Sequence, residues 1–188
     1  MISEINPLFT GHESSGIVHS VGSSVTKVTP GDRVAVQPGL PCRHCKQCRT
    51  RKYNLCPEIE VAANCRGRGT LARVLRAPED FVFQIPESVT LKEAVLVEPL
   101  SIAIHAVRLA QLAPGQNVLI QGSGTIGLLA AAVARAFGAK SVCVFDINKA
   151  RLDFAKDLLD DCVTFTADIT STPREEAARF KEKMNLED

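Results

Sequence analysis

Four cysteines within fifteen residues are the most chemically specific feature of this sequence. Cys42, Cys45, Cys48 and Cys56 follow the spacing Cys-x2-Cys-x2-Cys-x7-Cys, which lets a short segment place four thiolates around one tetrahedral ion. The chain has seven cysteines, an odd number, and tight clustering in a reducing compartment favours metal over disulfides. Because four thiolates leave no open coordination position, the pattern predicts a structural zinc ion.

Basic side chains accompany these cysteines and leave a second interpretation open. A zinc module that binds nucleic acid would use similar ligands and positive charge, but Tyr53 is the only stacking aromatic nearby and the chain lacks a basic excess. The same cations would offset the double negative charge of a four-thiolate zinc centre. His44, between two cysteines, is expected to be a bystander. The basic residues are Arg43, Lys46, Arg49, Arg51 and Lys52.

A glycine-rich motif predicts a dinucleotide site. Gly122-Ser-Gly124-Thr-Ile-Gly127 lies between a predicted strand and a predicted helix, and Asp146 follows nineteen residues after Gly127. Gly122 would permit a tight turn, Gly124 a close approach of backbone to pyrophosphate, and Gly127 close packing of helix on strand. Asp146 would accept hydrogen bonds from the adenosine ribose and repel a 2′-phosphate, which favours NAD over NADP, although Arg151 weakens that preference. The alternative is a tight turn between strand and helix that needs glycine for steric reasons and binds no ligand.

The first half of the chain contains short β-rich runs separated by glycines and prolines. Thr90-Leu-Lys-Glu93 is a capping box that opens a helix, and Pro99 is expected to divide it from a second helix that runs to about Leu112. This change from strand-like to helix-like spacing of apolar residues predicts a domain boundary. The predicted strands lie at residues 16–22, 25–28, 32–36, 71–75 and 81–84.

The second half alternates strands and helices, as in an α/β domain. A helix is predicted over 126–137, closed by Gly138, and a last helix begins at Thr172. Cys143 and Cys162 are expected in the core, whereas Cys65 is given no role. Strands are predicted at 118–120, 142–145 and 163–165.

Composition excludes several classes of partner. There are 22 basic and 21 acidic residues, so no global charge favours nucleic acid or an anionic membrane. No apolar run approaches the roughly 18 residues needed to cross a bilayer, and the N-terminus lacks a secretory signal pattern. We therefore expect a cytoplasmic protein without a nucleic-acid or membrane partner.

Three motifs, read in order, resemble the zinc-dependent medium-chain alcohol dehydrogenases, and among them the sorbitol, xylitol and arabinitol dehydrogenases. They are Gly11-His-Glu-Ser-Ser-Gly16, the cysteine segment that ends in Arg51-Lys-Tyr-Asn-Leu-Cys56, and Val97-Glu-Pro-Leu-Ser-Ile-Ala-Ile-His-Ala106 ahead of the glycine motif. The likeness covers about residues 9 to 160. It implies a zinc-dependent oxidoreductase that oxidises a secondary hydroxyl of a sugar alcohol and transfers hydride to NAD.

The resemblance also assigns roles to individual residues. His12 matches a ligand of the catalytic zinc, and Glu13 beside it matches a ligand or a neighbour of that ligand. Glu98 matches the carboxylate near the zinc-bound water and substrate. Positions that line the NAD adenosine and ribose correspond to Ile126, Asp146 and Arg151.

Relative to the family, the chain is expected to be truncated at both ends. None of the ten residues before Gly11 is a cysteine, so the resemblance implies a catalytic zinc site without its thiolate ligand, which would hold zinc more weakly. The expected α/β architecture is a partial GroES-like β-domain at 1–98 with a zinc lobe at 41–57, then the first half of a doubly wound Rossmann sheet at 99–188. Self-association into a homo-oligomer through the half sheet is expected. The alternative function is a noncatalytic module that binds zinc and nucleotide.

Overall fold

A computed structural model describes residues 9–63 and 69–184, arranged as two compact units, Met1–Glu98 and Pro99–Asp188. Cys65 lies outside the described residues. The helices are α1 (Lys46–Arg49), α2 (Leu91–Ala94), α3 (Val97–Leu109), α4 (Thr125–Ala136), α5 (Lys149–Leu158) and α6 (Pro173–Met184). The strands are β1 (Ser14–Ile17), β2 (Arg33–Val36), β3 (Gly39–Leu40), β4 (Glu60–Val61), β5 (Val82–Gln84), β6 (Asn117–Gln121), β7 (Ser141–Asp146) and β8 (Val163–Thr166).

The first unit is built on two small antiparallel sheets. One has the order β1-β2-β5, with Ser14 opposite Val36, and the other pairs β3 with β4. Val34 and Ala35 of the central strand β2 are buried, as is Phe81 just before β5. The β3-β4 pair closes the base of the cysteine segment, which contains α1 and a 3₁₀ turn at Tyr53–Leu55.

Two predicted strands of this unit are wrong. Residues 25–28 form no strand, because the N–H groups of Thr26 and Lys27 both donate to the Glu79 carboxylate at 2.9 Å instead of to a neighbouring strand. Residues 71–75 also form no strand. There the N–H of Leu71 donates to the carbonyl of Thr10 and the next N–H turns back onto Thr70, so no ladder continues.

The helices at the unit boundary differ from the prediction in one respect. The Thr90–Glu93 capping box is confirmed, since each side chain bonds the backbone N–H of the other residue. Pro99, however, lies inside the first turn of α3 rather than before it. A proline is tolerated there because first-turn N–H groups have no acceptor within the helix. The helix ends at Leu109, short of the predicted Leu112, and Gln111 follows it with φ +53°.

The second unit is a three-stranded parallel sheet in the order β6-β7-β8, which confirms the predicted α/β half sheet. The central strand β7 is buried on both faces, as a strand covered by helices must be. Helix α4 packs on it through alanines and ends at Ala136, and Gly138 just beyond it has a φ of +88°, which suits a glycine after a helix. The predicted burial of the two cysteines is confirmed. The core comprises Ala131, Ala134, Val142, Cys143, Val144, Leu152, Cys162 and Phe165.

None of the helices within residues 9–63 and 69–184 combines the length and the apolar character that a membrane crossing requires.

Candidate functional site

The four clustered cysteines converge in the first unit. Their sulfur atoms all lie within 4.8 Å of one another, with 3.5 Å between Cys45 and Cys48 and 3.9 Å between Cys45 and Cys56. Cys45 lies at the start of α1, Cys48 within it, and Cys56 directly after a 3₁₀ turn. This local folding gathers ligands that are up to fourteen residues apart, and four sulfurs so placed fit one tetrahedral zinc ion.

A bound cation would stabilise the ionised form of this cluster. Burial, together with the neighbouring thiols, raises the pKa of Cys48 to about 12, so the four groups cannot all ionise by themselves. A bound Zn²⁺ reverses this preference and holds its ligands as thiolates. Two backbone donors already point at sulfur, the N–H of Cys42 at Cys56 and the N–H of Cys45 at Cys42.

The polar residues around the cluster have partners of their own. Arg43 donates to Asp80 at 2.9 Å and its guanidinium lies 5.5 Å from the Phe81 ring centre, so its charge is balanced by a carboxylate. His44 lies outside the four-sulfur group. Its Nδ1 is 2.9 Å from the Cys42 carbonyl oxygen, and its Nε2 is 3.7 Å from Glu58.

A second group of metal-ligating side chains comes from distant parts of the same unit. One ligand atom from each of His12, Glu13 and Glu98 lies within 4.8 Å of the others, and His12 Nε2 is 3.9 Å from Glu13 Oε1. His12 and Glu13 are exposed and directly precede β1, whereas Glu98 is half-buried in the first turn of α3. One imidazole and one or both carboxylates can hold zinc and leave a coordination position open.

Hydrogen bonds explain how the fold brings this second group together. The Ser15 hydroxyl on β1 donates to the carbonyl of Leu91 at 2.6 Å, which ties β1 to α2 just ahead of Glu98. Arg33 on β2 donates to the carbonyl of Val89, in the segment that leads into α2. Burial raises the pKa of Glu98, with a smaller increase from Glu13 and an opposing effect of His12. A carboxyl in such surroundings can exchange a proton nearer to neutral pH than an exposed one.

The glycine motif has the geometry of a phosphate-binding loop. Gly122 has a φ of +102°, which suits glycine, and its N–H donates to the Phe145 carbonyl at 2.7 Å. A Cβ on Gly127 would overlap the carbonyl oxygen of Gly122, so the predicted close packing at Gly127 is confirmed. Around Gly124, at the start of α4, there is open space. The helix N-terminus thus presents backbone N–H groups to that space, an arrangement that favours anions.

An open cavity of about 440 Å³ adjoins this loop. Gly124 and Arg151, two of the predicted cofactor-binding residues, line it, whereas Ile126 is not among its lining residues although 39% of its surface is exposed. The lining residues are Ser123, Gly124, Thr125, Leu128, Asn148, Ala150, Arg151 and Phe154.

Asp146 ends β7 and is bonded to the loop. Its Oδ2 accepts from the N–H of Ser123 at 2.6 Å and from the Ser123 hydroxyl at 2.7 Å, and its Oδ1 accepts from the N–H of Asn148 at 2.8 Å. These bonds, first of all the backbone bond from Ser123, lower the pKa of Asp146 to about 2. Sequence reasoning missed Ser123, because its position in the motif accepts any residue and nothing local shows that its hydroxyl faces Asp146.

Comparisons with known proteins agree with both units. The model for the alcohol dehydrogenase GroES-like domain matches residues 2–87, and that for the C-terminal domain of alanine dehydrogenase/PNT matches residues 103–186. The probable D-xylulose reductase A of Aspergillus terreus is 48% identical over 181 residues, which are 96% of this chain and 51% of that protein. The chain spans about half the length of the curated relatives it matches.

Solved structures give the same result. Galactitol-1-phosphate dehydrogenase from Escherichia coli matches with a TM-score of 0.82 and 34% identity, over 94% of this chain and 50% of that one. A short chain alcohol dehydrogenase from Escherichia coli CFT073, solved with NADH, matches with a TM-score of 0.81 and 31% identity, over 95% of this chain and 52% of that one.

Proposed function

We propose that the chain, which resembles the zinc-dependent medium-chain alcohol and polyol dehydrogenases, carries the metal-binding and cofactor-binding parts of a polyol dehydrogenase. Zinc and NAD(P) are the cofactors expected of this family. The reaction would be oxidation of a secondary hydroxyl of a sugar alcohol with reduction of NAD. We assign residues 1–98, with the zinc lobe at 41–57, to the GroES-like domain and residues 99–188 to part of the Rossmann domain.

The convergence of His12, Glu13 and Glu98 carries this proposal. A structural zinc lobe or a nucleotide loop can serve many proteins, but an open set of imidazole and carboxylate ligands in the same unit as a closed four-cysteine set is suited to metal-assisted catalysis. When bound, zinc supplies a Lewis acid that lowers the pKa of a hydroxyl it coordinates. His12 and Glu13 would hold the metal.

Glu98 would act on the proton that the substrate hydroxyl loses. Its half-buried position and raised pKa suit a group that accepts this proton, or that receives it through water. In the second unit, backbone N–H groups after Gly122 would bind the pyrophosphate, and Asp146 and Arg151 would contact the adenosine ribose. When bound, NAD supplies the hydride acceptor. Because Asp146 is ionised, it would disfavour a 2′-phosphate and so select NAD over NADP.

The test combines turnover with metal analysis. The purified chain is incubated with NAD and sorbitol, xylitol or arabinitol, and NADH is followed by its absorbance. We expect NADH formation that His12→Ala abolishes while the zinc of the four-cysteine site is retained. Binding of NAD without NADH formation would instead support the noncatalytic zinc- and nucleotide-binding alternative.

Three further features of the protein stay predictions. We expect a cytoplasmic location and no nucleic-acid partner. Absence of oligonucleotide binding at low as well as high salt concentration would agree with the latter. Self-association is supported by β6, which pairs only with β7 among the described strands and has Leu119 55% exposed. A monodisperse monomer in size-exclusion chromatography would contradict that expectation.

A further inference from the structure

The carboxylate of Asp146 is nearly filled by hydrogen bonds from its own chain. Oδ2 accepts two bonds, from the N–H and the hydroxyl of Ser123, and Oδ1 accepts one from the N–H of Asn148. A carboxylate offers about four lone-pair positions, two on each oxygen. Oδ2 is therefore full, and a single position is left on Oδ1.

An adenosine ribose needs more open acceptor positions than the one left on Asp146. It presents two adjacent hydroxyls, at C2′ and C3′, and a carboxylate that accepts from both, one on each oxygen, needs an open position on each. The N–H of Ser123 belongs to the backbone of the glycine loop and cannot turn away without moving that loop. The Ser123 hydroxyl can rotate. It is therefore the group that competes with a ribose hydroxyl for Oδ2.

The surroundings of Ser123 favour the internal bond. Only 2% of Ser123 is exposed, so a hydroxyl that rotates away from Asp146 does not reach bulk water. The structure gives that hydroxyl one partner among the described residues, Asp146 itself. A buried hydroxyl left without a partner bears the full cost of its desolvation, and so the exchange with a ribose hydroxyl is unfavourable.

We propose that Ser123 restricts Asp146 to one of the two ribose hydroxyls and thereby lowers the affinity of the chain for NAD. Ser123 is a specificity-determining residue that acts through Asp146. This inference rests on the proposed binding of NAD at the glycine loop. It implies that a chain with an apolar residue of similar size at position 123 binds the adenosine ribose more tightly than the chain with serine does.

The experiment is a thermodynamic cycle with the full chain. Isothermal titration calorimetry measures binding of ADP-ribose and of its analogue without the adenosine 2′-hydroxyl to wild type and to Ser123→Ala. We expect Ser123→Ala to bind ADP-ribose about three- to tenfold more tightly, the effect of one additional hydrogen bond of ordinary net strength. Its affinity for the 2′-deoxy analogue is expected to change by less than about twofold.

Ser141→Ala is the matched control. The Ser141 hydroxyl donates to the Asn117 side chain at 2.8 Å, at the opposite end of β7 from Asp146, so its loss should leave both affinities unchanged. NMR titration supplies a readout without ligand. The pKa of Asp146, about 2 in the wild type, should rise in Ser123→Ala because the carboxylate loses one of its donors.

The outcomes separate the inference from the function on which it rests. Weaker or unchanged ADP-ribose binding by Ser123→Ala, or an equal gain for both ligands, overturns the role of Ser123 while NAD binding by the wild type stands. An unchanged Asp146 pKa in that variant also overturns it. A wild type that binds neither ligand overturns the cofactor assignment itself, and the inference with it.

Discussion

Replacing Gly127 by alanine tests the close packing of α4 against the glycine loop. A Cβ at this position would overlap the carbonyl oxygen of Gly122, a backbone atom that cannot swing aside like a side chain. Overpacking of this kind costs about 3 kcal/mol at the upper end of its usual range, whereas the better helix propensity of alanine returns about 1 kcal/mol. We therefore expect the second unit to lose about 2 kcal/mol of its free energy of unfolding.

The assay is thermal unfolding of the full chain, followed by calorimetry or circular dichroism. For a unit of about 90 residues, a loss of about 2 kcal/mol lowers Tm by roughly 8–16 °C. Gly124→Ala is the matched control, because a Cβ there meets no atom within 4 Å. It should cost less than about 1 kcal/mol, the effect of alanine at a helix N-cap. Because its methyl group enters the space through which the pyrophosphate approaches, it should weaken ADP-ribose binding at least about tenfold.

Two results would refute this reasoning. If Gly127→Ala melted at the wild-type temperature, the turn would have room that the structure does not show, and close packing could not explain the third glycine. If Gly124→Ala bound ADP-ribose as tightly as the wild type, the pyrophosphate could not lie against the loop at Gly124.

Three other substitutions give distinct results. The pKa of Asp146 is depressed to about 2 from 3.8, so its ionised form stabilises the folded chain above about pH 4 and this contribution is lost as pH falls through about 2. Asp146→Asn should therefore unfold at lower urea concentration than wild type at pH 7, with the difference shrinking between pH 4 and pH 2, and a constant difference would contradict it. Cys45→Ser should remove the tightly held zinc and lower the Tm of the first unit, and unchanged zinc content by elemental analysis would count against the four-cysteine site. Thr90→Ala should cost about 1 kcal/mol through loss of the capping box, as measured by denaturant unfolding, and an unchanged midpoint would show that α2 does not depend on its cap.

Features that depend on nearby residues were predictable from the sequence. The capping box at Thr90 forms within four residues and is present as predicted, and Thr172 bonds Glu175 in the same way at the predicted start of the last helix. The cysteine spacing predicted that four sulfurs would form one cluster, because all four cysteines lie within fifteen residues and a short local fold can bring them together. Helix α4 and the strands of the second unit followed from apolar runs bounded by glycines and polar residues.

Strand assignment failed where the outcome depended on a distant partner. A β-rich run becomes a strand only if another strand offers its backbone groups in register. At Thr26 and Lys27 the backbone donors bond the Glu79 carboxylate, which lies more than fifty residues away. No property of residues 25–28 alone predicts that bond.

The candidate sites show the same division. The resemblance carried by the motif order identifies His12, Glu13 and Glu98 as family positions, but only the tertiary structure brings side chains 85 residues apart within ligand distance, through the bond from Ser15 to the α2 segment. Likewise, the glycine motif and Asp146 can be recognised from the sequence, whereas the hydrogen bond that joins Ser123 to Asp146 cannot. Hydrogen bonds between residues distant in sequence depend on where the packed strands and helices place each group, and the local pattern does not encode that placement.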